Sequence, residues 1–266
     1  MANELQRTTE WYLARKGKIT ASECYVLLNN SKQAMTEDEL AEWKKANPKS
    51  RVTTKEVPFS SGTYTYLDDK VAEMYMPDNS FIEYVEECRY ETKAMQWGTF
   101  WEDDARKRYS DATGVEVLDA PFIELKGYEK FAGGSPDGIN RLGDGENKNN
   151  GIIEIKCPFN PTVHLRHYLY ETPEDLKTDN LQYYVQTQYN MICVEREFGY
   201  KVDYCDFISF DPRTSKSKQL KVLRIPTDKE MQKLLIERTE LAVSYMRDQV
   251  ERINNMESII NHYKKE

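Results

Sequence analysis

The sequence predicts an α/β fold with a central mixed β-sheet, flanking helices and a long C-terminal helix. Segments whose apolar residues recur at helical spacing are interleaved with short runs rich in β-branched and aromatic residues. The last part of the chain, residues 228–264, is amphipathic over many turns, which is typical of a helix that packs on a core. The length suits one domain, 1–266, with appendages.

The N-terminal part predicts three helices. The first would begin near residue 20, with Thr20 or Ser22 as its N-cap. The second would begin after Thr36, because Thr36 and Glu39 fit a capping box. The region at 35–60 is a possible insertion. A loop and the third helix follow, over 47–63 and 64–76.

The middle of the chain predicts one long helix and most of the strands. Apolar residues return at near-helical spacing from 93 to 113, and Gly114 is a natural C-terminal stop. A polar, glycine-containing stretch at 140–150 predicts a flexible hairpin loop, and a further helix is expected over 180–194. Strands are predicted at 115–118, 121–125, 130–132, 151–157, 202–210 and 219–225.

Composition excludes some classes of protein. The net charge of −8 argues against a protein that coats nucleic acid non-specifically, although an enzyme can still hold DNA in one local basic groove. No apolar run is long enough to cross a bilayer or to form a signal peptide, so we expect no membrane partner and a cytoplasmic location. The five cysteines include no CxxC pair, which favours scattered reduced thiols.

The most informative pattern is Gly-Gly-Ser-Pro-Asp-Gly at 133–138, followed by Glu-Ile-Lys at 154–156. Because side chains alternate along a strand, Glu154 and Lys156 would share one face. Charges on an interior strand are costly unless they are paired or bind a metal ion. Two carboxylates beside a lysine suit Mg²⁺, which keeps several waters and bridges to phosphate. The alternative is a surface salt bridge between Glu154 and Lys156.

Hydrolysis of a phosphodiester fits this set of groups. Asp137 and Glu154 would hold the metal together with the carbonyl of Ile155, and Lys156 would orient or help to deprotonate a water or stabilise the developing charge. On spacing alone, a catalytic site and a solvated salt bridge remain equally open.

Several motifs in this order resemble one known family. Ser-Pro-Asp-Gly at 135–138 and Glu-Ile-Lys-Cys-Pro-Phe at 154–159 resemble the PD-(D/E)XK nuclease signature in the form that lambda-type phage exonucleases carry. These enzymes form the YqaJ-like viral recombinase family. Further similar motifs are Trp-Tyr-Leu-Ala-Arg at 11–15, Ile-Thr-Ala-Ser at 19–22, Gly-Thr-Phe-Trp-Glu at 98–102 and Gln-Thr-Gln-Tyr at 186–189.

The resemblance implies roles for further residues. Asp137, Glu154 and Lys156 would be catalytic, and Glu102 would support a second metal or its waters. The alternative for Glu102 is one charge in a solvated acidic run. The implied site for a terminal 5′ phosphate comprises Arg15, Ser22, Ser135 and Gln186. Ser22 and Ser135 have the alternative roles of a helix cap and a turn residue.

The resemblance also implies an activity and partners. We expect a restriction-endonuclease-like core and a Mg²⁺-dependent 5′-to-3′ exonuclease on linear double-stranded DNA, with Mn²⁺ able to substitute. The family implies a ring-shaped homotrimer, a phage single-strand annealing protein as partner, and a bacterial host cell. The rival functions are a structure-specific endonuclease or repair nuclease of the same fold, and a non-catalytic DNA-binding module.

Two other features are weaker. His164 and His167 form an HxxH without the glutamate that zincin chemistry needs, and we expect them on the surface near a DNA groove. A basic stretch predicts a solvated turn, with phosphate contact as the second interpretation; its residues are Lys216, Lys218, Lys221 and Arg224.

Overall fold

The computed structural model describes residues 8–88, 92–141 and 150–256. Its helices are α1 (Thr9–Arg15), a 3₁₀ helix (Cys24–Leu28), α2 (Glu37–Ala46), α3 (Ser61–Tyr75), α4 (Asp78–Cys88), α5 (Lys93–Thr113), α6 (Pro161–Tyr168), α7 (Pro173–Asp179), α8 (Leu181–Phe198) and α9 (Lys229–Asn255). Its strands are β1 (Ile19–Thr20), β2 (Ser31–Ala34), β3 (Thr54–Val57), β4 (Glu116–Leu118), β5 (Ile123–Glu124), β6 (Ala132–Gly134), β7 (Gly138–Arg141), β8 (Gly151–Lys156), β9 (Tyr204–Phe210) and β10 (Leu220–Pro226).

The largest sheet is mixed and has the strand order β10-β9-β8-β7-β4. Strands β8 and β9 run parallel, with Glu154 opposite Phe207, whereas the other neighbours are antiparallel. A small sheet of order β1-β6-β5 stands beside it, and β2 and β3 form a separate antiparallel pair. Strand β8 therefore lies in the interior of the main sheet, with a partner on each side.

Helices cover both faces of the main sheet. On one face, Ile152 belongs to a core that includes residues of α8 and α9. On the other face, Ile153 and Ile155 pack in a core with residues of α5 such as Tyr109. Each fully buried aliphatic side chain contributes about 1.5–3 kcal/mol through removal of apolar surface from water. The predicted fold class, a mixed sheet flanked by helices with a long C-terminal helix, is confirmed.

Several predicted elements agree closely with the structure. Helix α2 follows the capping box of Thr36 and Glu39. Helix α5 ends at Gly114, whose φ of 71° is left-handed and costs a glycine little. Helix α9 begins after Asp228, whose side chain accepts from the Met231 amide. The described part of α9 ends at Asn255, and the remainder of the prediction to 264 lies outside the described residues.

The first predicted helix is wrong. Thr20 lies in β1, where it pairs with Gly133 of β6, and its hydroxyl donates to Glu23 instead of capping a helix. The α-helix of this region is α1, which begins earlier because the Thr8 side chain accepts from the Trp11 amide. After residue 20 the chain forms only the short 3₁₀ helix.

Other boundaries also differ. Strand β3 lies within the predicted loop at 47–63 and pairs with β2. The strand expected at 130–132 begins at Ala132, because the amides of Phe131 and Ala132 both donate to the Tyr128 carbonyl in a turn. The loop predicted at 140–150 falls mostly on 142–149, outside the described residues.

Two further predictions concern membranes and thiols. Among the described residues, no helix combines the length and the apolar character that crossing a bilayer requires. The five cysteines are all free; Cys88 is exposed and the other four are buried.

Candidate active site

Strand β8 supplies three candidate groups at its C-terminal end: the side chains of Glu154 and Lys156 and the backbone carbonyl of Ile155. Glu154 is 1% exposed, and its Oε1 accepts a hydrogen bond from Lys156 Nζ at 2.7 Å. Lys156 Nζ also donates to Gln186 Oε1 at 3.3 Å and lies 4.7 Å from the centre of the Tyr183 ring. The pair is therefore an interior ion pair and not a salt bridge on a solvated strand.

Asp137 occupies the turn between β6 and β7, beside the same end of β8. Its Oδ2 accepts from the Ile155 amide at 2.6 Å, and its own amide donates to the Ile153 carbonyl at 3.1 Å. These two bonds fix the Asp137 carboxylate against the strand that carries Glu154. The Ser-Pro-Asp-Gly turn thus has a definite structural purpose: it places a second carboxylate next to the first.

Glu102 comes from α5, which packs on the other face of β8. Its Oε1 lies 3.7 Å from Arg106 Nη2, and the Arg106 guanidinium also lies 3.6 Å from Asp119. No side-chain nitrogen of Arg106 makes a hydrogen bond within the described residues, so this largely buried cation acts through its charge. Arg106 thereby offsets the negative charge of Glu102, the third carboxylate near Asp137 and Glu154.

The electrostatics of the pair follow from burial and proximity. Burial raises the pKa of Glu154; Lys156 opposes this effect, while Asp137 and Glu102 add to it. Burial lowers the pKa of Lys156, but the charges of Glu154 and Asp137 outweigh burial and raise the pKa above its ordinary value. Lys156 is therefore held as an ammonium that donates hydrogen bonds.

The candidate phosphate-binding residues include one guanidinium, that of Arg15. Arg15 stacks on the Trp11 ring at 4.2 Å, and its Nη2 donates a long hydrogen bond of 3.5 Å to Ser22 Oγ. Trp11 Nε1 in turn donates to Ser135 Oγ at 3.2 Å. Burial lowers the pKa of Arg15, and Glu23 is the main opposing charge. No carboxylate of the described residues forms an ion pair with Arg15, and a guanidinium in such a setting can bind an anion such as a phosphate.

One cavity of about 180 Å³ brings all of these candidates together. Its lining contains all of the residues predicted to be catalytic, to bind the metal or to bind the 5′ phosphate, namely Arg15, Ser22, Glu102, Ser135, Asp137, Glu154, Ile155, Lys156 and Gln186. A larger groove of about 580 Å³ adjoins the cavity and shares Glu102, Ile155 and Lys156 with it. The remaining lining of that groove is mostly apolar and includes Met95 and Phe159.

The acidic groups suit a hard cation that needs few protein ligands. Over residues 8–88, 92–141 and 150–256, no three His, Cys, Asp or Glu side chains are grouped closely enough to form a complete metal cage. Mg²⁺ does not require one, because it commonly binds through one or two carboxylates and fills its other positions with water and substrate phosphate. A buried Glu154 whose pKa is raised by burial and by Asp137 is also the kind of group that a cation stabilises. The residues present therefore fit Mg²⁺.

Sequence reasoning missed two contributors to the cavity region. Trp11 had no assigned role, although its spacing of four residues from Arg15 places both on one helix face and could have indicated the stacking. Asn190 was also missed; its Nδ2 donates to Glu154 Oε2 at 3.1 Å. That contact joins distant parts of the chain and has no local sequence signal.

The histidine expectation is wrong. His164 and His167 are buried, and the Nδ1 atoms of both rings lie within 3.0 Å of Ser209 Oγ, so they belong to the interior and not to a surface near DNA. In the basic stretch, the Arg224 guanidinium is bound within the protein: it donates two hydrogen bonds of 2.9 Å to the buried carboxylate of Asp206.

Comparisons with known proteins identify the family and the fold. The chain matches the family model described as the YqaJ-like viral recombinase domain over residues 10–197. No curated protein matches the chain. Two solved structures of an alkaline exonuclease from Laribacter hongkongensis, one of them in complex with dAMP, are 26% identical to it with a TM-score of 0.61. Those alignments cover 93% and 92% of this chain and 96% of each relative.

A phage related exonuclease from Haemophilus somnus 129PT has the same fold. Its TM-score is 0.52 at 17% identity, and the alignment covers 89% of this chain and 96% of that chain.

Proposed function

Because the chain belongs to the YqaJ-like viral recombinase family, we propose that it is a Mg²⁺-dependent 5′-to-3′ exonuclease that acts on linear double-stranded DNA. It would leave 3′ single-stranded tails for phage-type recombination. The observation that carries the proposal is the convergence of the Asp137, Glu154 and Lys156 side chains with the Arg15 guanidinium in one cavity.

Asp137 and Glu154, with the carbonyl of Ile155, would hold the cation, and Glu102 would support a second one or its waters. When bound, Mg²⁺ supplies Lewis-acid stabilisation of the charge that develops on the scissile phosphate. Mn²⁺, which accepts the same oxygen ligands, would substitute for it. The protein contributes a rigid pair of carboxylates, because Asp137 is bonded to the β8 backbone and Glu154 is buried within the sheet.

Lys156 would act as a donor. Its pKa is raised by Glu154 and Asp137 despite burial, so at neutral pH it is an ammonium that can orient an attacking water or stabilise negative charge. The Gln186 amide oxygen and the Glu154 carboxylate hold its Nζ in place. A positioned cation of this kind costs little reorganisation during the reaction.

Arg15 would confer dependence on a DNA end. A terminal 5′ phosphate bound by Arg15, Ser22, Ser135 and Gln186 would occupy the same cavity as the reacting phosphodiester. Cleavage would then take place next to the end, and the products would be 5′ nucleotides. An internal site in a closed circle offers no terminal phosphate, so this arrangement favours an exonuclease over an endonuclease of the same fold.

The oligomeric state, the partners and the location of the protein are further proposals that family membership supports. We expect a homotrimer, DNA as the partner, a phage-type single-strand annealing protein downstream, and action in the cytoplasm of a bacterial host.

The test compares nucleotide release from linear and covalently closed circular DNA, with and without Mg²⁺. We expect release from the linear duplex only, and only with the cation. Lys156→Ala should lower the rate by about 10²–10³-fold, the usual cost of removing one charge-stabilising donor. Circular DNA cut as fast as linear DNA would overturn the exonuclease assignment.

Lys177→Ala provides a matched control. Like Lys156, Lys177 pairs with a carboxylate, that of Asp228 at 3.4 Å, and lies over a tyrosine ring, that of Tyr184 at 5.1 Å. It does not line the cavity. Equal losses in the two variants would show that the effect of Lys156→Ala is structural.

A further inference from the structure

Helix α8 turns two amide side chains toward the Glu154–Lys156 pair. Gln186 and Asn190 are four residues apart and so lie on one helix face. Gln186 Oε1 accepts from Lys156 Nζ at 3.3 Å, and Asn190 Nδ2 donates to Glu154 Oε2 at 3.1 Å. Each member of the ion pair therefore has its own amide on α8.

Asn190 is held under unusual constraint. It is 0% exposed, and its Oδ1 has no hydrogen-bond partner in the described residues. A buried polar atom without a partner destabilises the folded state, so an apolar side chain of similar shape would be more stable at this position unless the amide has another role. The donor end of the amide contacts Glu154 and accounts for that need.

Gly134 of β6 makes room for this amide. A Cβ atom built on Gly134 would lie 2.5 Å from Asn190 Oδ1, 3.2 Å from Cys193 Sγ and 3.5 Å from Ala21 Cβ. The first distance is too short for any real contact, so a side chain at 134 would displace the amide. The second glycine of the Gly-Gly-Ser-Pro-Asp-Gly segment therefore has a steric reason: it lets α8 approach the sheet closely enough for Asn190 to reach Glu154.

We propose that Asn190, seated against Gly134, is a positioning residue that fixes the Glu154 carboxylate for cation binding. Oε1 is bonded to Lys156 and Oε2 to Asn190, so the two donors together set the rotation of the carboxylate. Without the amide, Lys156 is the one hydrogen-bonding partner that the Glu154 carboxylate keeps among the described residues, and the carboxylate is less restrained about its last torsion. Groups that orient a metal ligand in this way are typically worth about 10–100-fold in metal affinity. The inference rests on the proposed function, since it takes Glu154 as a metal ligand.

The test measures Mn²⁺ binding to the full chain by calorimetry, without DNA, together with the rate of nucleotide release. Asn190→Leu should weaken Mn²⁺ binding by about 10–100-fold and raise the Mn²⁺ concentration needed for half-maximal activity by the same factor. Gln188→Leu is the matched control. Gln188 is an equally buried amide on α8, but its two hydrogen bonds go to Pro226 and Asp228 and not to the pair. It should lose thermal stability without losing Mn²⁺ affinity.

Gly134→Ala gives an independent perturbation that leaves both Asn190 and Glu154 in the sequence. Its Cβ should push the amide away and reproduce the loss of Mn²⁺ affinity. In an Asn190→Ala background the clash is relieved, so adding Gly134→Ala should have little further effect on Mn²⁺ binding. If Asn190→Leu does not fold, this cycle decides the question.

The outcomes separate the two proposals. Wild-type Mn²⁺ affinity in both Asn190→Leu and Gly134→Ala would overturn the positioning role and leave the proposed nuclease intact. A wild-type chain that neither binds Mn²⁺ nor releases nucleotides would overturn the proposed function and this inference with it.

Discussion

Replacing Arg15 by alanine should abolish any preference for 5′-phosphorylated ends and leave the chemistry on 5′-hydroxyl ends largely unchanged. The Arg15 guanidinium stacks on Trp11, makes one long bond of 3.5 Å to Ser22, and has no carboxylate partner among the described residues. Its remaining donors are therefore available for a phosphate dianion. Because Trp11 already holds the side chain, little conformational freedom is lost on binding.

The expected loss in kcat/KM follows from the energy of a hydrogen bond to a charged group. Hydrogen bonds to a charged group contribute about 1.5–3 kcal/mol, and each 1.4 kcal/mol corresponds to a factor of ten. Loss of the Arg15 contacts should thus lower kcat/KM on phosphorylated ends by about 10–100-fold. Arg15→Lys, which keeps the charge but not the planar fork, should fall between the wild type and Arg15→Ala.

The assay measures kcat/KM for each variant on linear duplexes that differ only in the 5′ phosphate. The quantity of interest is the ratio of kcat/KM on the phosphorylated duplex to kcat/KM on the hydroxyl duplex, compared between the wild type and Arg15→Ala. Lys18→Ala is a useful control, because Lys18 is a nearby cation that pairs with Glu124 and does not line the cavity. Arg15→Ala slowing both substrates equally, or retaining the wild-type preference, would refute the assignment of the phosphate site.

Three further predictions concern pH and stability. Burial raises the pKa of Glu154, Lys156 opposes that effect and Asp137 adds to it, so protons should compete with Mg²⁺ for this carboxylate more strongly than for an exposed one. The Mg²⁺ concentration needed for half-maximal activity should therefore fall as the pH rises from 6 to 9, and an equal requirement at both pH values would contradict this. Burial lowers the pKa of His167 to about 4, so the folded state holds this ring in its neutral form. Stability should therefore be full above about pH 6.5 and fall by about 3 kcal/mol toward pH 4, because the unfolded state binds a proton first. In urea melts at different pH values, His167→Gln should reduce this dependence on pH. Arg224→Met should lower the free energy of unfolding by about 2 kcal/mol, because it removes the cation that pairs with the 1%-exposed Asp206 carboxylate. About half of the Arg224 side chain is solvated, which limits the loss. An unchanged free energy of unfolding would contradict this prediction.

The sequence predicted those parts of the fold that have a regular apolar pattern. Helix α5 and strand β8 bury defined faces, so their periodicity and boundaries were visible. Strands β2 and β3 were missed because the pair buries no residue and so lacks the alternation that marks a half-buried strand. Helices α6 and α7 were missed as well, although each begins with a proline after a residue suited to an N-cap, a signal that could have been used.

The candidate site divides in the same way. Strand alternation was enough to pair Glu154 with Lys156, and the order of motifs was enough to add Glu102, Arg15 and Gln186. The contact from Asn190 to Glu154 depends on how α8 docks on the sheet, which no local pattern encodes. The buried environment of His164 likewise depends on tertiary packing, which is why an HxxH pattern suggested a surface that the fold does not provide.

The position of β8 has a consequence for how the protein would lose activity on heating. Many enzymes carry their reactive groups on loops that open well before the rest of the molecule. Here the Glu154 carboxylate sits on a strand whose neighbours Ile152, Ile153 and Ile155 are anchored in two cores, one on each side. Disordering the proposed catalytic pair of Glu154 and Lys156 would require the sheet to come apart, so loss of turnover on warming should coincide with cooperative melting of the whole domain rather than precede it.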